Sequence, residues 1–163
     1  MTARFVKGGS VAVVLLVAFA GYEQSNYAAP APSAARPPVL GVFEGRTPCG
    51  KVAAEFTGFP AQNCEKIKWR LILYHHPESS RPSTYRFDGT RTRREGTWSI
   101  IRGTATDPQA IVYRLKYEAG AKSVAFLKAD DNILLLLDRN LRLMVGDASW
   151  SYTLSRTDRM PNN

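Results

Sequence analysis

A chain of 163 residues holds one ordinary domain behind a removable leader, and is too short for two large domains. With 44% hydrophobic and 22% charged residues it is neither a disordered polymer nor a fibrous repeat. Its formal net charge of +8 favours anionic surroundings such as lipid headgroups or polyanions without choosing among them.

Met1 to Ser10 carries Arg4 and Lys7 and no acid, and the apolar run Val11 to Ala20 follows. A bilayer span needs about 20 apolar residues, so this run has the length of a signal-peptide core. Ala18-Phe19-Ala20 supplies the small-x-small pattern of a cleavage site. The expectation is a signal peptide over 1–20, with an uncleaved anchor as the rival, and a destination in the periplasm or outside the cell. Tyr22 stands where a lipoprotein would carry its cysteine, so no lipid anchor is expected, and no transmembrane span remains after cleavage. Residues 21–38 are rich in Ala, Pro and Ser, with Pro30, Pro32, Pro37 and Pro38, and read as an extended linker.

The domain is expected over 39–157. Val39 to Gly45 is a first strand, and the only two cysteines, Cys49 and Cys64, bound the loop after it. Inside that loop Val52 to Phe56 forms a short turn of helical character. Lys66 to Tyr74 then alternates, with Ile67, Trp69, Leu71 and Leu73 on one face, the mark of a half-buried strand. His75-His76-Pro77 ends it. Strands follow at Thr84–Gly89, Glu95–Ile101, Ala110–Tyr117, Ser123–Lys128 and Asn132–Asp138. Ile133 to Leu137 is apolar on both faces, and its length and flanking Asp and Asn residues make it a covered strand rather than a helix. Leu141–Val145 pairs back across a tight turn, Ser149–Leu154 closes the domain with Trp150, Tyr152 and Leu154 or their neighbours facing in, and 158–163 is a loose tail.

Eight or nine short strands with no long helical period define an all-β, up-and-down antiparallel sheet. Closing it into a small barrel of about eight strands removes the exposed edges. Such an interior is filled by side chains or holds one small ligand. In an oxidising compartment Cys49 and Cys64 are expected to pair, with a redox-active or metal-binding pair as the alternative.

The run Gly41-Val42-Phe43-Glu44-Gly45-Arg46-Thr47-Pro48-Cys49 resembles the first strand and cysteine turn of the N-terminal domain of the NlpE family, copper-resistance and envelope-stress lipoproteins. Glu95-Gly96-Thr97-Trp98 and the Leu135 to Leu154 region extend the similarity. Cys49 matches the first cysteine of that family's Cys-x-x-Cys, and Cys64 stands across an insertion in place of the second. The resemblance implies a lipocalin-like barrel in the cell envelope with a role in copper homeostasis or in sensing envelope stress.

Soft ligands suit copper(I), and Cys49, Cys64, His75 and His76 are the candidates, although adjacent histidines on a strand point to opposite faces. No other cofactor is expected. Arg91, Arg93 and Arg94, with Arg81 and Arg86 nearby, are candidate contacts for phosphate or carboxylate. No nucleophile motif surrounds either histidine, so the chain does not read as an enzyme. Nucleic acid is not an expected partner, for want of an aromatic stacking motif. The sequence therefore predicts a non-enzymatic exported barrel that binds an envelope protein or senses stress, with a carrier of a small hydrophobic ligand as the alternative.

Overall fold

The computed structural model describes Thr2 and residues 37–58, 64–89, 92–117 and 122–158. The expected signal peptide, apart from Thr2, the linker over 21–36 and residues 159–163 of the tail lie outside the described residues. The chain divides between Ala35 and Arg36, and the fold belongs to the second unit.

In chain order the elements are β1 (Val39–Pro48), α1 (Lys51–Thr57), β2 (Lys66–His75), β3 (Pro82–Asp88), β4 (Arg93–Arg102), β5 (Ile111–Tyr117), β6 (Lys122–Lys128), β7 (Ile133–Leu137) and β8 (Thr153–Thr157). Each strand pairs antiparallel with the next, and β8 returns to β1, giving a closed barrel of eight strands. This is the up-and-down architecture that the alternating pattern predicts.

Alternation decides which side chains fill the barrel. Along β2, Ile67, Trp69, Leu71 and Leu73 are buried inside while Lys68 is exposed outside. Inward residues of the other strands complete one aromatic-rich core, including Phe43, Tyr85, Phe87 and Phe126. A smaller cluster of Val112, Ala125 and Leu137 lies on the outer face, where Leu141 packs against it. That cover accounts for the buried outward Leu137 at the end of the apolar run Ile133 to Leu137.

The end of the chain differs from expectation in three places. Leu141 to Val145 forms no strand and contributes one bridge, Leu143 to Leu137. The last strand begins at Thr153, not Ser149. Trp150 does not enter the core; it is half-buried outside, with the Lys66 ammonium 4.7 Å from its ring centre. Two aspartates cause this. Asp138 Oδ1 accepts from the Asn140 and Arg142 amides, and Asp147 Oδ1 from the Ser149 and Trp150 amides, so the backbone groups a strand would use are spent in turns.

Gly96 of β4 sits close against the neighbouring strands. A Cβ there would sit 2.1 Å from the Lys116 carbonyl oxygen and 2.9 Å from the Tyr85 ring. Gly96→Ala is expected to spread β4 from β5 and destabilise the fold by about 2 kcal/mol, measurable as a lower urea midpoint.

Candidate functional site

β1 ends at Pro48 and β2 begins at Lys66, and between them α1 packs into one mouth of the barrel, with Phe56 and Ala53 buried. α1 has seven residues, too few to persist alone in water. Its N-cap is Gly50, which offers no side-chain cap, and no acid in the first turn or base in the last complements its dipole. Only the stop is well made: Gly58 takes the left-handed conformation at φ +67°. Local chemistry therefore does not hold this helix, and tertiary contacts must.

Three contacts do so. The first is the Cys49–Cys64 disulfide, with the two Cα atoms 5.9 Å apart, which ties the entry of the loop to its exit. Among the described residues there is no free cysteine. The second is an ion pair between Glu55 on α1 and Arg139 in the turn after β7. The third is the Phe56 side chain, fully buried in the barrel mouth. Its ring lies 5.3 Å from Trp69 in a parallel stack and meets Phe87 and Tyr117 edge-on at 5.1 and 5.0 Å. Trp69 is fixed in turn by its Nε1–H, which donates to Thr47 Oγ1 at 2.8 Å. That bond also satisfies the buried Thr47 hydroxyl.

The rim around this plug is polar at two points. Gly50 lets Tyr152 approach closely, since a Cβ there would lie 2.3 Å from its hydroxyl oxygen. Burial pushes the Tyr152 phenol up, and a hydrogen bond from the Gly50 backbone pulls it back in part. Deeper in, Tyr85 is 1% exposed and its hydroxyl has no hydrogen-bond partner among the described residues. Burial pushes this phenol far above the usual tyrosine range, against an opposing pull from Arg94.

The sign of the consequence follows from the raised value. Below the ordinary tyrosine range both folded and unfolded chains hold the proton, so there is no pH dependence. Above about pH 10 the unfolded chain ionises first, and stability falls as the pH rises. Tyr85→Phe is expected to reduce that alkaline loss and, by deleting an unpaired hydroxyl, to raise stability near neutral pH by about 1 kcal/mol. Urea unfolding at neutral and alkaline pH checks both effects.

Of the candidate metal ligands named from sequence, Cys49 and Cys64 are brought together. His75 and His76 stand at the opposite end of β2, about 30 Å of extended chain from Lys66. They cannot join the cysteines in one metal site. His75 Nδ1 lies 2.9 Å from the His76 carbonyl oxygen and 3.3 Å from that of Ser79, within its own turn. Among the described residues no group of three or more His, Cys, Asp or Glu side chains is placed to hold a metal ion.

The arginine cluster is divided. Arg93 faces out and pairs with Asp88 at 2.9 Å, and Arg86 reaches the same carboxylate at 3.0 Å. Arg94, one residue on, turns to the inner rim, where its guanidinium sits 5.2 Å from the centre of the Tyr117 ring. Arg81 lies in the β2–β3 turn, and Arg91 lies outside the described residues.

Phe56 and Met144 were not singled out from sequence. The signal for Phe56 was present: Ala53 and Phe56, three apart in a short helical segment, share the face that is buried. For Met144 there was none, because only the turns after β7 bring its methyl group to Gly50, 3.3 Å from where a Cβ would stand.

Fold and site together define a small antiparallel barrel with one mouth stoppered by a disulfide-clasped helix. Set against family profiles, curated proteins and solved structures, the chain finds no match.

Proposed function

We propose that the chain is an exported, non-enzymatic barrel domain of the NlpE N-terminal kind, acting in the cell envelope as a binding or stress-sensing module. The observation that carries this reading is the cysteine-clasped plug: a seven-residue helix with no side-chain N-cap and no complemented dipole is tied into the barrel mouth by a bond that persists in an oxidising compartment. The Phe56 stack fills that mouth with rings. This supports binding on the outside of the barrel over the alternative, a hydrophobic ligand carried within. Cell fractionation of the full chain with thiol trapping tests the reading. Envelope recovery with both thiols protected is expected, and a cytoplasmic protein with free thiols would remove it. One-to-one binding of a fluorescent fatty acid by the oxidised protein would instead favour the carrier.

A copper role is supported by one feature of this mouth. Reduction would free two thiols that can bind a soft metal as thiolates, and the Met144 methyl group lies 3.3 Å from where a Cβ at Gly50, next to Cys49, would stand, which brings a third soft donor to this end of the barrel. His75 and His76 take no part. Titration with copper(I) before and after reduction is expected to give binding only after reduction. Equal behaviour in both states would take copper out of the function and leave the envelope role to the fractionation result.

A further inference from the structure

Cross-strand partners share a face of a sheet, so the register lays out the outer surface of the barrel row by row. One row runs from Ser99 on β4 through Arg114, Ala125 and Leu137 to Leu143 beyond β7. In the row beside it Lys116 stands between Thr97 and Ser123. The row on the other side, from Ile101 to Thr153, is aliphatic as far as Leu135. No position in the three rows is acidic.

The segment after β7 carries this surface out into water. Asp138 and Asp147 fix it through backbone amides, and Leu141 is held at φ +57°, a left-handed conformation that a leucine adopts only under constraint. Met144 packs against the core, while its neighbours Leu143 and Val145 are 53% and 90% exposed. Two aliphatic side chains shown to water by a fixed segment, at the end of a row that begins in a buried cluster, mark a contact surface. Arg114, Lys116 and Arg142 have no ion-pair partner among the described residues. Two acids border the surface and both are engaged, Glu55 by Arg139 and Asp138 by the Asn140 and Arg142 amides.

We infer that this face docks the barrel on an anionic lipid surface, Leu143 and Val145 entering the headgroup layer while Arg114, Lys116 and Arg142 meet lipid phosphates. Charge of one sign beside aliphatic side chains is what selects a bilayer. A lipid surface requires no cavity and no pattern of hydrogen bonds, whereas a protein partner would find neither an acid to pair with nor an aromatic anchor in the three rows. A soluble polyanion neutralises the cations but leaves Val145 in water. The face uses neither the cysteines nor α1, and it stands apart from the redox and copper readings.

Co-sedimentation of the full chain with vesicles is the test, every protein carrying Leu15→Glu and Leu16→Glu so that the apolar run Val11 to Ala20 adds no insertion of its own. Saturable binding is expected to vesicles of phosphatidylglycerol and phosphatidylcholine in equal parts, weakened by high salt, with little to phosphatidylcholine alone. Arg114→Gln, Lys116→Gln and Arg142→Gln together should weaken it at least about tenfold, and Val145→Asp by a similar factor. Arg46→Gln with Lys68→Gln removes two exposed cations from β1 and β2, on the opposite side of the barrel, and should change binding less than about twofold. Circular dichroism of each variant should match the parent. Absence of saturable binding, equal binding to phosphatidylcholine alone, or equal weakening by the β1 and β2 pair would overturn the inference. So would a dimer in analytical ultracentrifugation that Val145→Asp dissociates, which would give the face to a second copy of the chain.

Discussion

Replacing both cysteines, Cys49→Ser with Cys64→Ser, is expected to lower the unfolding free energy by about 3 kcal/mol, the chain-entropy value for a closed loop of this length. The separation of 15 residues is long enough for the open loop to explore many conformations, and α1 within it has neither a side-chain cap nor a complemented dipole to narrow them. The barrel itself should persist. Its closure is made by strand ladders, including β8 against β1, to which the disulfide contributes nothing. Urea unfolding followed by tryptophan fluorescence gives the loss, and far-ultraviolet circular dichroism the retained sheet. A loss well under 1 kcal/mol would mean that α1 docks without its clasp.

Phe56→Ala should cost more, about 4 kcal/mol, because a fully buried ring leaves a cavity among Trp69, Tyr85, Phe87 and Tyr117 that closed strands cannot collapse to fill. Loss of the stacked partner should also shift Trp69 emission. Phe56→Leu retains most of the volume and should cost about 1 kcal/mol. The two perturbations act on one device, so their effects should not add. With α1 already released, removing its anchor ring has less left to break, and the triple variant should lose less unfolding free energy than the sum of the separate losses. Chemical denaturation of the single, double and triple variants closes that cycle.

The strands were legible where one rule governed them. From Lys66 to Leu73 charge and apolar character alternate, and the buried face is the one the alternation names. Val52 to Phe56 reads as a helical turn and is one. Legibility failed where a side chain competed with the ladder for the backbone. Asp138 and Asp147 each accept two amides from the residues just after them, which turns the segment from 138 to 152 into successive turns where aromatic alternation suggested a strand. Asp followed by small or polar residues was the available cue, and Trp150 and Tyr152 outweighed it.

The candidate site was half legible for a related reason. Two cysteines in a chain whose sequence reads as exported point to a bond, and the bond is there. What it holds depends on contacts between residues far apart in sequence, Phe56 with Trp69 and Tyr117, that no local pattern encodes. The arginine cluster is divided because neighbours in sequence on a strand face opposite ways: Arg93 meets Asp88 outside while Arg94 covers Tyr117 within.

Amide hydrogen exchange before and after reduction tests the clasp most directly. In the oxidised chain the amides of Ala54 to Thr57 should be protected, beginning with Ala54, which donates to the Gly50 carbonyl at 2.9 Å. Reduction should remove protection from those amides while leaving β4 to β7 as slow as before. Unchanged exchange in α1 after reduction would contradict the clasp, and loss of protection throughout the barrel would show the disulfide to be a staple of the whole fold.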